Sequence, residues 1–354
     1  MAGVLSSSNQ ETLSALSVRL THEFKPGFME QLNEFSPIWQ SFRKTRGRGD
    51  QSRWKTHVGR NDGAGFTTEA AAIGTAGSQE YINMAHTWAI AQVPVRITDF
   101  ARAINIGIGH SGIELWRDEI RRSAKDMAQL LEKSLNLAQT GDESLGLPDF
   151  LNDGSDDATA IGGQNYADYP VLRSCYIPDT NFATNEARMD ALESCIVHGT
   201  GVDIAGAKRI FAKEDQGGGQ VDFWITTPTI EEALKNTLIA NNRWIFTDTL
   251  SGNKGMPDQS LGVRRVQGQP RLTHNGKPIL ASRFSDASKI YAIDASTWEI
   301  QILPHQMNAP GFTRLETDFA FIVLAKTGSF IKAYWEIYLQ LVNTSPHMNG
   351  VVAP

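Results

Sequence analysis

SGIELWRDEIRRSAKDMAQLLEKSLNLAQT, residues 111–140, is the stretch on which the fold turns. Ile113, Trp116, Ile120, Met127, Leu130, Leu131, Ser134 and Ala138 recur every three or four positions, with Arg, Asp, Lys and Gln between them, which predicts one unbroken helix. Ser111 followed by Glu114 makes a capping box at its start, and Gly141 is placed to end it in a left-handed conformation. Asp118 can reach Arg121 and Arg122 on the next turn, a support of about 0.2–0.5 kcal/mol per pair. At about 1.5 Å per residue the helix would run roughly 45 Å, longer than a small domain is wide. Such a rod braces a flat or elongated molecule.

Upstream, Phe28, Met29, Leu32, Phe35, Ile38, Trp39 and Phe42 follow the break at Pro26-Gly27. This is more apolar surface than so short an arm can bury against itself, so it either folds back on its own body or lies across another subunit. Residues 51–59 and 80–97 alternate with a period of two and flank a stretch containing Asn61, Asp62, Gly63, Gly65, Gly74 and Gly77, which predicts a long hairpin with a loose tip. Its large apolar residues are few, chiefly Trp54, Ile82, Met84, Trp88 and Ile90, so the hairpin is expected to project.

Charge is concentrated here. The whole chain of 354 residues carries a formal −6, yet Arg43, Lys44, Arg46, Arg48, Arg53, Lys55 and Arg60 face only Asp50 within residues 43–60, a local +6. A basic run of this kind is a solvated face or half of an interface. Trp54 between Arg53 and Lys55 also has the look of a nucleic-acid contact, but the acidic total and the narrow run argue against binding that depends on phosphate contacts. After the helix, Asp142, Glu143, Asp149, Asp153, Asp156 and Asp157 occur without a basic residue, and this acidic run is either a solvated loop or the receiver of a neighbour's basic arm.

From residue 169 to 303 helices and strands mix in what reads as a separate unit: a helix over 184–198, a strand over 221–226, a helix opened by Thr229 and Glu232, a turn-rich stretch over 243–276, and strands at 279–283, 289–293 and 299–303. Phe330–Leu341 then gives the clearest strand, with Ile331, Ala333, Trp335, Ile337, Leu339 and Leu341 on one apolar face and 318–326 as its hairpin partner. That face is expected to cover the long helix, which makes the mixed unit an insertion.

Other signals point away from catalysis. Gly107, Gly109 and Gly112 spell a dinucleotide fingerprint, but the acidic residue it needs falls at Glu132 within the helix, so the glycines read as a hinge. No two of the eight histidines have a ligand spacing, and no metal or cofactor is expected. Cys175 and Cys195 make no disulfide framework, Cys195 reads as a small buried hydrophobe, and a reducing compartment is expected. No apolar run is long enough to span a membrane.

In order, the apolar arm, the hairpin, the helix 111–140, the strand and capped helix over 223–238 and the strands over 279–303 before the closing hairpin resemble the major capsid proteins of tailed bacteriophages, of the Hong Kong 97 type. The resemblance implies an α+β fold with an N-terminal arm (1–48), an extended β-hairpin loop (49–97), a peripheral domain (98–168 and 304–354) with spine helix 111–140, and an inserted axial domain (169–303). It implies a structural subunit rather than an enzyme, self-assembling into the icosahedral head shell. Arg43, Lys44, Arg46, Arg48, Arg53, Trp54, Lys55 and Arg60 become intersubunit contacts. The implied partners are further copies as pentamers and hexamers, portal, scaffolding and decoration proteins, and packaged double-stranded DNA held without sequence specificity, with no membrane. The implied location is the virion, after assembly in the host cytoplasm. An encapsulin-type compartment shares the fold and is the nearest rival, and a cytoplasmic enzyme with an unrecognised site is the rival from another class.

Overall fold

The structure is a computed structural model that describes residues 37–59, 80–98, 112–152, 160–178, 183–198, 219–240, 261–266, 269–307, 315–324 and 330–353. The arm positions from Phe28 to Phe35, the hairpin tip, Arg60, Gly107, Gly109 and Asp153, Asp156 and Asp157 lie outside them.

A short helix, Pro37–Ser41, leads into β1 (Arg43–Arg46), β2 (Gln51–Gly59), β3 (Glu80–Thr87) and β4 (Ala89–Thr98). The long helix follows as Gly112–Asn136, then a short helix Leu147–Phe150, β5 (Ala160–Ile161), β6 (Gln164–Asn165) and β7 (Cys175–Pro178). Helix Asn185–His198, β8 (Phe223–Thr226), helix Pro228–Ala240, β9 (Leu261–Val266), β10 (Gln269–His274), β11 (Lys277–Ala281) and β12 (Ile290–Ile293) come next. The chain closes with β13 (Trp298–Leu303), β14 (His305–Met307), β15 (Leu315–Thr317), β16 (Ala320–Val323), β17 (Phe330–Asn343) and β18 (Gly350–Ala353).

β17 organises a five-stranded sheet. Along one edge it pairs antiparallel with β4, and along the other with β16 and then β13, beyond which β1 runs parallel to β13. Ala333, Trp335, Ile337, Leu339 and Leu341 are all buried on one face, as the alternation predicts. The long helix covers them: Ile120, Ala124, Met127, Leu131 and Leu135 are buried, and the Trp335 indole N–H donates to Ser123 Oγ at 3.1 Å. The stripe is therefore narrower than the sequence suggests. Leu130 and Ala138 face outward, and the helix stops at Asn136, whose amide donates to the Glu132 carbonyl and to Ser282 Oγ. Beyond it the Asp149 carboxylate accepts from the backbone N–H of Gln139 and Gly146, holding the turn that carries the chain away. Burial pushes that carboxyl upward in pKa, with the two backbone donors opposing.

The second sheet has seven strands in the order β7-β18-β12-β8-β11-β10-β9. One face, through Phe223, Ile225, Tyr291 and Ile293, joins the core under the long helix. The other, through Trp224 and Ile290, lies with Met189, Leu192 and Ile196 of helix Asn185–His198. That helix crosses β18 so closely that a Cβ on Gly350 would sit 2.6 Å from Leu192 Cδ1. Two strands fall on the other side of the expected division: β13 belongs to the first sheet and β18 to the second. The turn-rich stretch expected over 243–276 also contains β9 and β10, and Asn275-Gly276, both with positive φ, makes the two-residue turn to β11. Helix Pro228–Ala240 is capped by Thr227 rather than Thr229, with the Ile230 N–H donating to Thr227 Oγ1.

Two further expectations are corrected. Cys175 on β7 and Cys195 on the helix are joined in a disulfide, with Cα atoms 6.5 Å apart. Their separation of 20 residues is no framework signal; only the packing of that helix onto β7 brings them together. The pair removes the basis for inferring a reducing compartment. The hairpin, too, is not simply projecting. β2 and β3 pair from Gln51↔Thr87 onward, and Trp54, Ile82 and Met84 on one face are buried against the body. Trp54 meets Phe150 with ring centroids 6.3 Å apart, and the Ala85 N–H donates to the Gly162 carbonyl.

A candidate intersubunit surface

In β2 the side chains alternate: Ser52, Trp54 and Thr56 are buried, and Arg53 and Lys55 are exposed. Trp54 is 5% exposed, so it belongs to the core and leaves the contact set that the sequence suggested. Arg43, Arg46 and Arg48 are exposed along β1 and the turn after it, and Arg53 pairs with Asp50 at 3.2 Å. Lys44 behaves differently. The residue is exposed as a whole, but its ammonium turns back to donate to the Trp39 carbonyl and lies 5.5 Å from the Trp39 ring centre, and the burial of that end lowers its pKa to about 8. The remaining exposed cations, Arg43, Arg46, Arg48, Arg53 and Lys55, run from the sheet edge onto the hairpin's outer face. β1 is the outermost strand of its sheet, and charge on such a strand also discourages accidental pairing with other chains.

The arm resolves in part. Ile38, Trp39 and Phe42 are fully buried in the chain's own body, with Phe42 stacked on Trp298. Of the acidic run, Asp142 and Glu143 are exposed, whereas Asp149 is spent on the turn described above.

No protein-family model matches the sequence, and no curated protein is similar to it. Solved structures are. The capsid of cyanophage A-1(L) superposes with a TM-score of 0.61 over 90% of this chain and 92% of its own, at 13% identity. The chain has the Hong Kong 97-type capsid fold. The SrpI encapsulin complex of Synechococcus elongatus superposes at a TM-score of 0.54, with 12% identity over 90% and 88% of the two chains. A native gene transfer agent capsid does so at 0.54, with 13% identity over 89% of each.

Within this Hong Kong 97-type fold the sheet face away from the long helix carries a polar cluster that the sequence reading overlooked. Glu336 accepts from Tyr338 Oη at 2.5 Å and from the Gln92 amide, and His305 lies 3.7 Å from it and stacks on Tyr338. Burial, reinforced by Glu336, pushes the Tyr338 phenol up to about 12; burial pulls His305 down, with Glu336 opposing. The cluster links β4, β14 and β17 and is read as structural. His347, beside β18, is pulled down to about 4, first by burial and then by His57, against a hydrogen bond with the Val171 backbone. Its folded value lies below the unfolded 6.5, so its contribution is complete above about pH 6.5 and is lost as pH falls toward 4. That loss is about 3 kcal/mol. His347→Gln should flatten the pH dependence of urea unfolding by that amount across this window, and a parent-like slope would refute the assignment.

Proposed function

We propose that this chain is a major capsid protein, the repeating subunit of the icosahedral head of a tailed double-stranded DNA bacteriophage. The observation that carries the reading is the match to the cyanophage capsid over 90% of the chain, rather than over one sheet or helix. The role is mechanical. The division into arm, extended loop, peripheral unit and axial unit is kept as part of this proposal, with β13 counted in the peripheral unit and β18 in the axial one, and with pentamers and hexamers of the chain as the building blocks. Packaged DNA, portal, scaffolding and decoration proteins are the partners such a shell takes, and assembly takes place in the host cytoplasm.

Electron microscopy of the purified full chain tests it: uniform closed shells are expected, and a small soluble particle at every concentration would sink the reading. A second reading, an encapsulin-type compartment, is favoured by the comparable match to SrpI. Shell contents separate the two, since nucleic acid inside supports the phage head and a single enclosed enzyme supports the compartment.

Arg43, Arg46, Arg48, Arg53 and Lys55 supply intersubunit contacts in this reading. Exposed charges are screened over about 8 Å at physiological salt and about 3 Å at 1 M, so assembly should weaken as salt rises. Arg46→Glu, Arg48→Glu and Arg53→Glu combined should abolish shells in sedimentation while the thermal unfolding of the subunit stays within about 1 kcal/mol of the parent, because exposed pairs contribute little to folding. Normal shells from the triple variant would remove the basic run from assembly.

A further inference from the structure

The chain has two cysteines and the structure pairs them: Cys175 opens β7, and Cys195 lies in the last turn of helix Asn185–His198. Two cysteines allow a single pairing within a chain, so no other bond competes with this one during folding. Both are shielded from other molecules, at 1% and 8% exposure.

The bond joins elements that already pack without it. Met189, Leu192 and Ile196 of the helix are buried together with Ile177 of β7 and Val352 of β18, and Gly350 lets the helix cross β18 at Leu192. On another flank of the helix, Asn275 donates to Glu193 at 2.8 Å and Lys277 pairs with the same carboxylate. Packing thus holds the two sulfurs side by side, as thiols or as a disulfide. What the bond adds is local. β7 is the end strand of its sheet and, among the described residues, pairs with β18 alone, over four positions. So short an end strand opens ahead of the sheet interior. The disulfide ties it to the helix as well, so that β7 cannot open by itself.

A cytoplasm keeps such a pair reduced, and the medium outside a cell does not. A disulfide in a chain that assembles in the cytoplasm therefore has to close late. We propose that Cys175 and Cys195 are a redox lock set after assembly: the chain folds and builds its shell with two thiols, and the bond closes when the released shell meets a small-molecule disulfide such as oxidised glutathione. The proposal rests on the shell-forming reading and on cytoplasmic assembly within it.

Cys195, the more exposed sulfur and in a turn where helices fray, attacks first as the thiolate. It forms a mixed disulfide and displaces one glutathione thiolate. The Cys175 thiolate then attacks Cys195 Sγ, forming the protein disulfide and displacing the second glutathione. Two protein thiols are oxidised, one glutathione disulfide is reduced to two thiols, and those thiols take up the two protons the cysteines release. Access through fraying is rare, so closure is slow compared with folding.

The test counts thiols. The full chain is produced in a reducing cytoplasm and lysed without oxygen, and its shells are denatured in an alkylating reagent and weighed by mass spectrometry, before and after treatment with oxidised glutathione. Two alkyl groups per chain are expected before treatment and none after it. Treatment should also lower the unfolded fraction read by limited proteolysis roughly 100-fold in the parent, and leave Cys195→Ser shells unchanged. A bond already closed in the oxygen-free shells, or thiols that persist through prolonged treatment, would overturn the lock and leave the shell-forming reading standing. Equal resistance of treated parent and Cys195→Ser shells would do the same. A chain that makes no shells would overturn both, whatever its thiols do.

Discussion

Trp298→Ala should lower the unfolding free energy of the subunit by about 3–5 kcal/mol, enough to leave a domain of ordinary stability marginally folded. The indole is 1% exposed and sits where three parts of the chain meet. Phe42, from the segment leading into β1, stacks on it at 5.2 Å with planes 5° apart; Phe150, from beyond the long helix, meets it edge-on at 5.3 Å. Its N–H donates to Asn349 Oδ1 at 2.8 Å. Asn349 is itself fully buried, accepts from the Asp294 N–H and donates to Thr297 Oγ1, so it ties the end of β12 to the start of β18. Removing the indole leaves a cavity and deprives Asn349 of one partner at the same time. Trp298→Phe keeps a ring for the stacking but loses the hydrogen bond and part of the ring volume, an expected cost of about 2 kcal/mol, still below that of alanine. Urea unfolding of unassembled subunits reads both values, and a loss below about 1 kcal/mol for the alanine variant would show that the three segments do not depend on this ring.

The second large effect is expected at the disulfide. Cys175 and Cys195 enclose a loop of 20 residues, for which chain-entropy arguments give about 3 kcal/mol of stabilisation under oxidising conditions. Cys175→Ser with Cys195→Ser should lose that amount, and full reduction of the parent chain should lose the same. Both sulfurs are nearly buried, so reduction without denaturant should be slow. If the double variant were as stable as the oxidised parent, the bond would hold nothing that packing of the helix on β7 does not already hold.

The parts of this fold that were legible in the sequence are those whose pattern repeats within one element. The long helix shows a 3.6-residue stripe, and β17 alternates over 14 residues, so each declares its type and its apolar face without reference to anything else. β1 and β18 are four residues long and acquire their identity from partners far away, Arg43 from Glu299 and Gly350 from Cys175, which no local pattern records. The end of the long helix was misplaced because Asp149, 13 residues past Asn136, supplies the hydrogen bonds that redirect the chain. Other misses were avoidable. Asn275-Gly276 is a strong hairpin signal, and the parity of β2 already sets Trp54 opposite to Arg53 and Lys55. Of the candidate contact surface, the charge was visible in composition, but the withdrawal of the Lys44 ammonium onto Trp39 was not, since it needs the indole already held in the core.

Thr98 lies opposite Phe330 and Ala89 opposite Leu339, so among the described residues β4 has no sheet partner until β17 has been made. At about 5–20 residues per second, a ribosome needs on the order of 10–50 s to cover that interval. Throughout it the nascent polypeptide carries open strand edges and an uncovered helix stripe, the two features most prone to sticking to the wrong neighbour. Yield during overexpression should accordingly depend on chaperone supply and improve with slower translation at low temperature, more than the stability of the finished subunit would suggest.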